Sequence, residues 1–255
     1  LSVVRGDCWH KAFFLTFLPY GTEFIVKHPD SQALPGKEVP MGVITFSREP
    51  CSGGSGIATS VASELGLRLV DKKLIEEVLV QYGVVKLKES YDAMPTFWTR
   101  FNEEAKDLAR MFDRVIVAMA ELGDVLIMGR AAYRVLAFRQ DALHVRIKAP
   151  LASRVDRFID RYGFRDRGHA EAALRDADRL RSSYLGLYYD VKPDSSLGFD
   201  LVIDTGKIST SAAVPLVAAA YRSIRTGWVP DRNSADYPVV DRILVEASRR
   251  VLNPI

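Results

Sequence analysis

The chain has 255 residues, 48% of them hydrophobic and 26% charged, which excludes a disordered or fibrous protein and fits one large domain or one domain with appendages. A formal net charge of +3 is too small to argue by itself for a nucleic-acid partner. The two cysteines, Cys8 and Cys51, exclude a disulfide framework and suit a reducing cytoplasm. No run approaches the roughly 18 apolar residues of a membrane helix, so no span is expected.

At the N-terminus, an aromatic-rich run over 12–26 follows Arg5 and Lys11. It resembles a signal-peptide core, but Asp7 and His10 interrupt it and no small-residue cleavage site follows. Residues 28–40 (HPDSQALPGKEVP) carry three prolines and a glycine and read as linker. Residues 1–40 are therefore an extension and linker, 41–225 the folded domain, and 226–255 a C-terminal tail with one helix over 239–252.

From Met41 the pattern becomes regular. MGVITFS (41–47) is a short β-branched run, the mark of a buried strand. After the loop REPCSGGSG, Ile57, Val61 and Leu65 recur on one helical face that ends near Gly66. LRLV (67–70) is a second strand, followed by helices over 73–82 and 101–122, the latter stopped by Gly123. VLIM (125–128) and LHVRIKA (143–149) are further strands, and Pro150 opens a helix over 151–162. A charged helix over 168–189, a fifth strand DLVID (200–204) and an Ala-rich helix over 209–225 complete the domain. Strands alternating with helices predict parallel pairing, because parallel strands need a crossover.

The loop between the first strand and helix is where chemistry is expected. Glycines let backbone N–H groups converge, and a helix N-terminus adds roughly half a positive charge, so Ser52, Gly53, Gly54, Ser55, Gly56 and Ile57 form a candidate phosphate cradle. A plain glycine-rich turn is the alternative. Charge supports an anion site independently: residues 130–181 hold thirteen Lys/Arg against seven Asp/Glu. Some of these arginines belong to i,i+4 pairs on a solvated helix face. Arg130 differs, because it follows a strand at the carboxyl edge of the sheet, where ligands bind. Cys51, beside a helix N-terminus and near Arg48, could carry a lowered pKa or simply fill a tight loop. Tyr184, Tyr188 and Tyr189 could stack a base or pack the helix. The four histidines and two cysteines show no zinc spacing.

VITFSREPCSGGSGIATSVASELGLRLVDKKLI resembles the opening of the cytidylate kinase-like family, a branch of the P-loop nucleoside monophosphate kinases. VLIMGRAAYRVL, LHVRIKAPLASRVDRF, LRDADRLRSSY and LVIDTGKIS continue the likeness in order, over about residues 41–221. The resemblance implies a three-layer α/β/α P-loop NTPase-like fold with a parallel five-stranded sheet, a helical acceptor-side insertion within 84–104 and an arginine-rich lid. It implies a cytoplasmic enzyme that passes the ATP γ-phosphoryl group to CMP, dCMP or a related acceptor with Mg²⁺, its partners being nucleotides rather than nucleic acid or membrane. By the same resemblance Ser52, Gly53, Gly54, Ser55, Gly56 and Ile57 cradle ATP, Asp71, Arg130, Arg175 and Asp178 bind the acceptor side, and Arg48, Arg130 and Arg179 act in catalysis. Arg154 and Arg157 enter the lid region, and Asp204-Thr205 falls near the nucleotide base.

The chain departs from ordinary cytidylate kinases at three positions. Gly54 stands in place of the loop lysine, Gly56 in place of the metal-binding hydroxyl, and Ala131 in place of an aspartate that reads cytosine. The S-R-E triplet Ser47-Arg48-Glu49 suggests that Arg48 supplies the missing cation and that Ser52 or Ser55 helps to hold the metal. Two other readings remain open: a kinase for a different small acceptor, and a nucleotide-binding module without turnover.

Overall fold

The computed structural model describes residues 42–83, 103–163, 166–191, 195–224, 231, 234 and 237–253, all within the unit Glu38–Ile255. The N-terminal extension and nearly all of the acceptor-side insertion expected over 84–104 lie outside the described residues.

Five strands are present: β1 (Val43–Arg48), β2 (Arg68–Val70), β3 (Val125–Met128), β4 (Ala142–Lys148) and β5 (Leu201–Asp204). They pair in the order β2-β3-β1-β4-β5, and every pairing is parallel. The helices are α1 (Gly54–Leu65), α2 (Lys72–Gln81), α3 (Glu103–Glu121), α4 (Ala132–Val135), α5 (Leu151–Tyr162), α6 (Arg167–Tyr189), α7 (Thr210–Ser223) and α8 (Arg242–Leu252). Ser209, Asp241 and Asp71 start α7, α8 and α2 with side chains that accept from backbone N–H groups two or three residues on.

Side-chain alternation along the strands builds the three layers. Val43, Val125 and Ile127 share one cluster with Ile75, Leu79, Phe112, Ile116 and Leu244, from α2, α3 and α8. Ile44, Phe46, Leu126 and Ile147 share the other with Ile57, Val61 and Val217, from α1 and α7. Full burial of each such side chain contributes about 1.5–3 kcal/mol. The helix expected in the C-terminal tail is therefore part of the core, with Leu244 fully buried. The short α4 has no counterpart in the sequence reading. Helices α5 and α6 pack together through Val155, Ala170 and Leu174, joined by Cys51 from the glycine loop.

Candidate active site

Strand β1 lies between β3 and β4, so its carboxyl end opens into the crevice where crossovers leave in opposite directions. Two turns face each other there. In the first, after β1, Gly53 has φ 82° and caps α1 without a side chain of its own. A Cβ on Gly53 would stand 2.7 Å from Thr210 Cγ2, and one on Gly54 only 2.6 Å from Arg48 Cβ. These glycines keep the loop pressed on its supports. The loop is also tied from behind: Thr205 Oγ1 donates to the Ser52 carbonyl at 2.6 Å, and Arg157 donates to Thr205 Oγ1 at 2.9 Å and to the Thr205 carbonyl at 2.7 Å.

The second turn follows β3. Gly129, Arg130 and Ala131 are all left-handed, with φ of 84°, 52° and 53°, a conformation that costs non-glycine residues on the order of 1 kcal/mol or more. The turn throws Arg130 back over the sheet edge. Its guanidinium lies over the Phe112 ring at 5.0 Å and within 4.0 Å of Glu76.

Between the carboxyl end of β1, the second turn and α6 is a cavity of about 110 Å³ lined by Ser47, Arg48, Arg130, Tyr133, Arg181 and Tyr184, among others. Each residue of the S-R-E triplet has a separate task. Ser47 Oγ accepts from Arg181 at 2.9 Å, and Arg48 enters the cavity with Nε 3.5 Å from Ser55 Oγ. Glu49 accepts from the Ala149 N–H at 3.0 Å and stands 3.5 Å from Arg146 and 3.6 Å from Arg154. Burial pulls the pKa of Arg48 below its ordinary value, aided by the charges of Arg181 and Arg130 and opposed by Asp71. Burial also lowers that of Arg181, aided by Arg146. Guanidinium groups stay protonated under such pressure, so the cavity holds concentrated positive charge that an anion would relieve.

The residues singled out in the sequence divide into two groups. The glycine loop, Arg48 and Arg130 converge on the crevice. Arg175 and Arg179 do not line the cavity: they are exposed and pair along α6 with Glu171 and Asp176. Asp178 holds the buried Arg154 at 2.9 Å, and Asp71 accepts from the Leu74 N–H at 3.1 Å as the cap of α2. Burial pushes the Cys51 thiol up, against the pull of Arg161, Arg154 and Arg157, which favours the loop-filling reading over a reactive thiolate. His144 is a core residue, 2.8 Å from Thr45 Oγ1.

Arg181 is the residue that sequence reading missed. Leu174, Asp178, Arg181 and Leu185 follow one another at spacings of four, three and four, which puts them on one stripe of α6. Leu174 and Leu185 are buried, so the apolar stripe marked Arg181 as the inward arginine. Asp113 was missed as well. Its carboxylate accepts from Tyr189 Oη at 2.7 Å, and burial pushes its pKa up to about 6 against that hydrogen bond. An unfolded aspartate titrates near ~3.9, so between these values the native chain binds more protons and stability falls as pH rises. Asp113→Asn is expected to remove this fall. Its melting temperature at pH 7.5 should exceed the wild type's by on the order of 5 °C, with a smaller gap at pH 5; equal gaps at both pH values would contradict the assignment.

An ATP phosphate chain fits the loop, whose Gly56 has open space beside it. For a metal, the two candidate hydroxyls differ. Ser52 is fully buried, and its Oγ accepts from the Gly54 N–H at 3.4 Å, whereas Ser55 is exposed beside Arg48. Only Ser55 has the access that an oxygen ligand of a phosphate-bound Mg²⁺ needs. Among the described residues no helix is long and apolar enough to cross a membrane.

Residues 43–207 match the family described as the cytidylate kinase-like family. The cytidylate kinase of Methanopyrus kandleri is 30% identical over 190 residues, 70% of this chain and 92% of the relative. That of Pyrobaculum islandicum is 28% identical over 177 residues, 68% of this chain and 89% of the relative. Among solved structures, an uncharacterized protein from Eubacterium ventriosum superposes with a TM-score of 0.58 at 23% identity, covering 71% of this chain and 99% of that one. The matched span runs from the first residue of β1 past Thr205, and so takes in both turns and every arginine around the cavity: the chain belongs to the cytidylate kinase-like family.

Proposed function

We propose that the chain is a nucleoside monophosphate kinase that transfers the γ-phosphoryl group of ATP to CMP, dCMP or a related acceptor. The observation that carries this reading is the convergence of Arg48, Arg130 and Arg181 on one cavity between the carboxyl end of β1, the turn after β3 and α6. Phosphoryl transfer asks the protein mainly to align two phosphates, exclude water and neutralise charge as it spreads over the transferring oxygens. The backbone N–H groups of residues 53–56 would take the ATP phosphates; that of Ile57, expected to join them, donates instead to the Gly53 carbonyl at 3.1 Å. Arg48 would take the place of the absent loop lysine, supported by its position beside Ser55 and its shortage of counter-charge. Arg130 would hold the acceptor phosphate, and Arg181, rather than Arg175 or Arg179, would reach the transferring group from the α6 side. Mg²⁺, held by the ATP phosphates with Ser55, would supply further charge neutralisation.

The relatives named as cytidylate kinases support the CMP acceptor, while Ala131 leaves the base without its usual reader. A coupled ADP-release assay with ATP and Mg²⁺ against CMP, dCMP, UMP, AMP and GMP tests the proposal. Turnover on a monophosphate should fall at least a hundredfold in Arg130→Ala, as expected for loss of a charge-assisted bidentate contact during transfer. ATP binding without turnover on any acceptor would favour the non-catalytic module, for which Gly54 at the lysine position is the motivating feature.

A further inference from the structure

Helix α6 is fastened near the end of β1 at two points three residues apart, Asp178 and Arg181, which share one face of the helix. At the second point, Arg181 Nη2 donates to Ser47 Oγ at 2.9 Å. At the first, Arg154 of α5 stands between two carboxylates. Its Nη1 donates to one Asp178 oxygen at 3.1 Å, and its Nη2 lies 2.9 Å from the other. Its Nε donates to the Ala149 carbonyl at 3.2 Å and lies 3.6 Å from Glu49. Arg154 is only 7% exposed, so these two carboxylates offset the burial of its charge. Glu49 is itself fixed, accepting from the Ala149 N–H at 3.0 Å. The three side chains form a continuous strut, Glu49–Arg154–Asp178, from the residue after β1 to the turn of α6 that precedes Arg181.

We infer that Glu49, Arg154 and Asp178 are positioning residues whose common task is to hold α6 so that the Arg181 guanidinium stays in the cavity and meets the phosphoryl oxygens of a bound ligand. The inference rests on the kinase reading above for the part that Arg181 plays. It gives Asp178 a task other than the acceptor contact implied by resemblance, since both of its oxygens are engaged by Arg154. A guanidinium fork serves only when set in register with the oxygens it must meet, and a small shift of its helix loses that register. The strut is recognisable by the sign of its effect. Glu49 and Asp178 are both counter-charges to Arg181, raising its pKa against the burial that lowers it. Removing either one makes the cavity more positive, which through charge alone would tighten the binding of an anion. Through position the same change loosens it.

The probe is inorganic pyrophosphate with no metal added, its binding to the full chain measured by calorimetry. The samples are the wild type, Asp178→Asn, Glu49→Gln, Arg181→Met, and Asp178→Asn combined with Arg181→Met. Asp178→Asn should weaken pyrophosphate about tenfold, as Arg181→Met does, and the combined variant should bind no more weakly than Arg181→Met alone. Glu49→Gln keeps an amide oxygen for the Ala149 N–H and should weaken binding in the same direction. It decides the matter should Asp178→Asn fail to fold. Binding that is tightened or unchanged by loss of these carboxylates would overturn the inference, because charge alone would then describe them. Losses that add in the combined variant, or a wild type that binds no pyrophosphate, would overturn it as well. The kinase reading fails separately: coupled weakening of pyrophosphate, with no ADP release on any monophosphate, upholds the strut and rejects phosphoryl transfer.

Discussion

Replacing Arg48 by methionine is expected to lower ATP affinity ten- to a hundredfold while leaving the ligand-free chain at least as stable as the wild type. The two effects have opposite signs for one reason. Arg48 is half-buried among like charges, its pKa lowered first by burial and then by Arg181 and Arg130, so its guanidinium is held at a cost that a bound anion would offset. Methionine keeps an unbranched stem beside Gly54, whose neighbours include Arg48 Cβ and Cγ, and removes the charge. Loss of a charge-assisted contact to phosphate costs about 1.5–3 kcal/mol, which sets the change in affinity. Lys73→Ala is the control, since Lys73 is exposed on α2 and should leave ATP binding within about twofold. Titration calorimetry and a melting curve on the same samples decide the matter. Equal losses from Arg48→Met and Lys73→Ala would reject Arg48 as the phosphate-binding cation. A lower melting temperature without loss of affinity would make Arg48 a structural residue.

The largest expected effect on stability lies far from the site, at Arg139. Its Nε and Nη2 donate to the two oxygens of Asp141 at 2.9 and 2.6 Å, and its Nη1 donates to Glu121 at 3.1 Å. All three side chains are almost fully shielded from water, with exposures of 6%, 13% and 8%. Glu121 also accepts from Tyr237 Oη, so this cluster joins the end of α3 to the segment leading into α8. Arg139→Ala would take the bidentate guanidinium from the buried Asp141 and one partner from Glu121, and breaking a buried pair of this kind typically costs about 3–5 kcal/mol. Chemical denaturation at neutral pH should show that loss. A loss below about 1 kcal/mol would mean that solvent reaches the pair more freely than its burial indicates.

The fold was legible because its elements carry local signals. VITFS and VLIM are β-branched or apolar runs of strand length, Gly66 and Gly123 stand where helices end, and Ser209 sits at the start of α7. Helix α4 was not legible, since its four residues follow a turn that places two non-glycine residues in left-handed conformations. Propensity gives no warning of such a turn; tertiary packing imposes it. The site was partly legible. A glycine loop and an arginine after β3 are positions defined by strand ends, and the sequence locates strand ends well. Which arginine of α6 turns inward is a question of helical phase. The resemblance pointed to Arg175 and Arg179, whereas the Leu174–Leu185 stripe points to Arg181. The Tyr189–Asp113 contact joins residues 76 positions apart, and no local pattern announces it.

The family match ends at residue 207, before α7 and α8 begin. Yet Val217 is fully buried against one face of the sheet, and Leu244 lies equally deep on the other. The region that defines kinship is thus smaller than the region that folds. A chain trimmed to the matched residues would present both sides of its sheet partly stripped, and its failure to behave as an enzyme would say nothing about its chemistry.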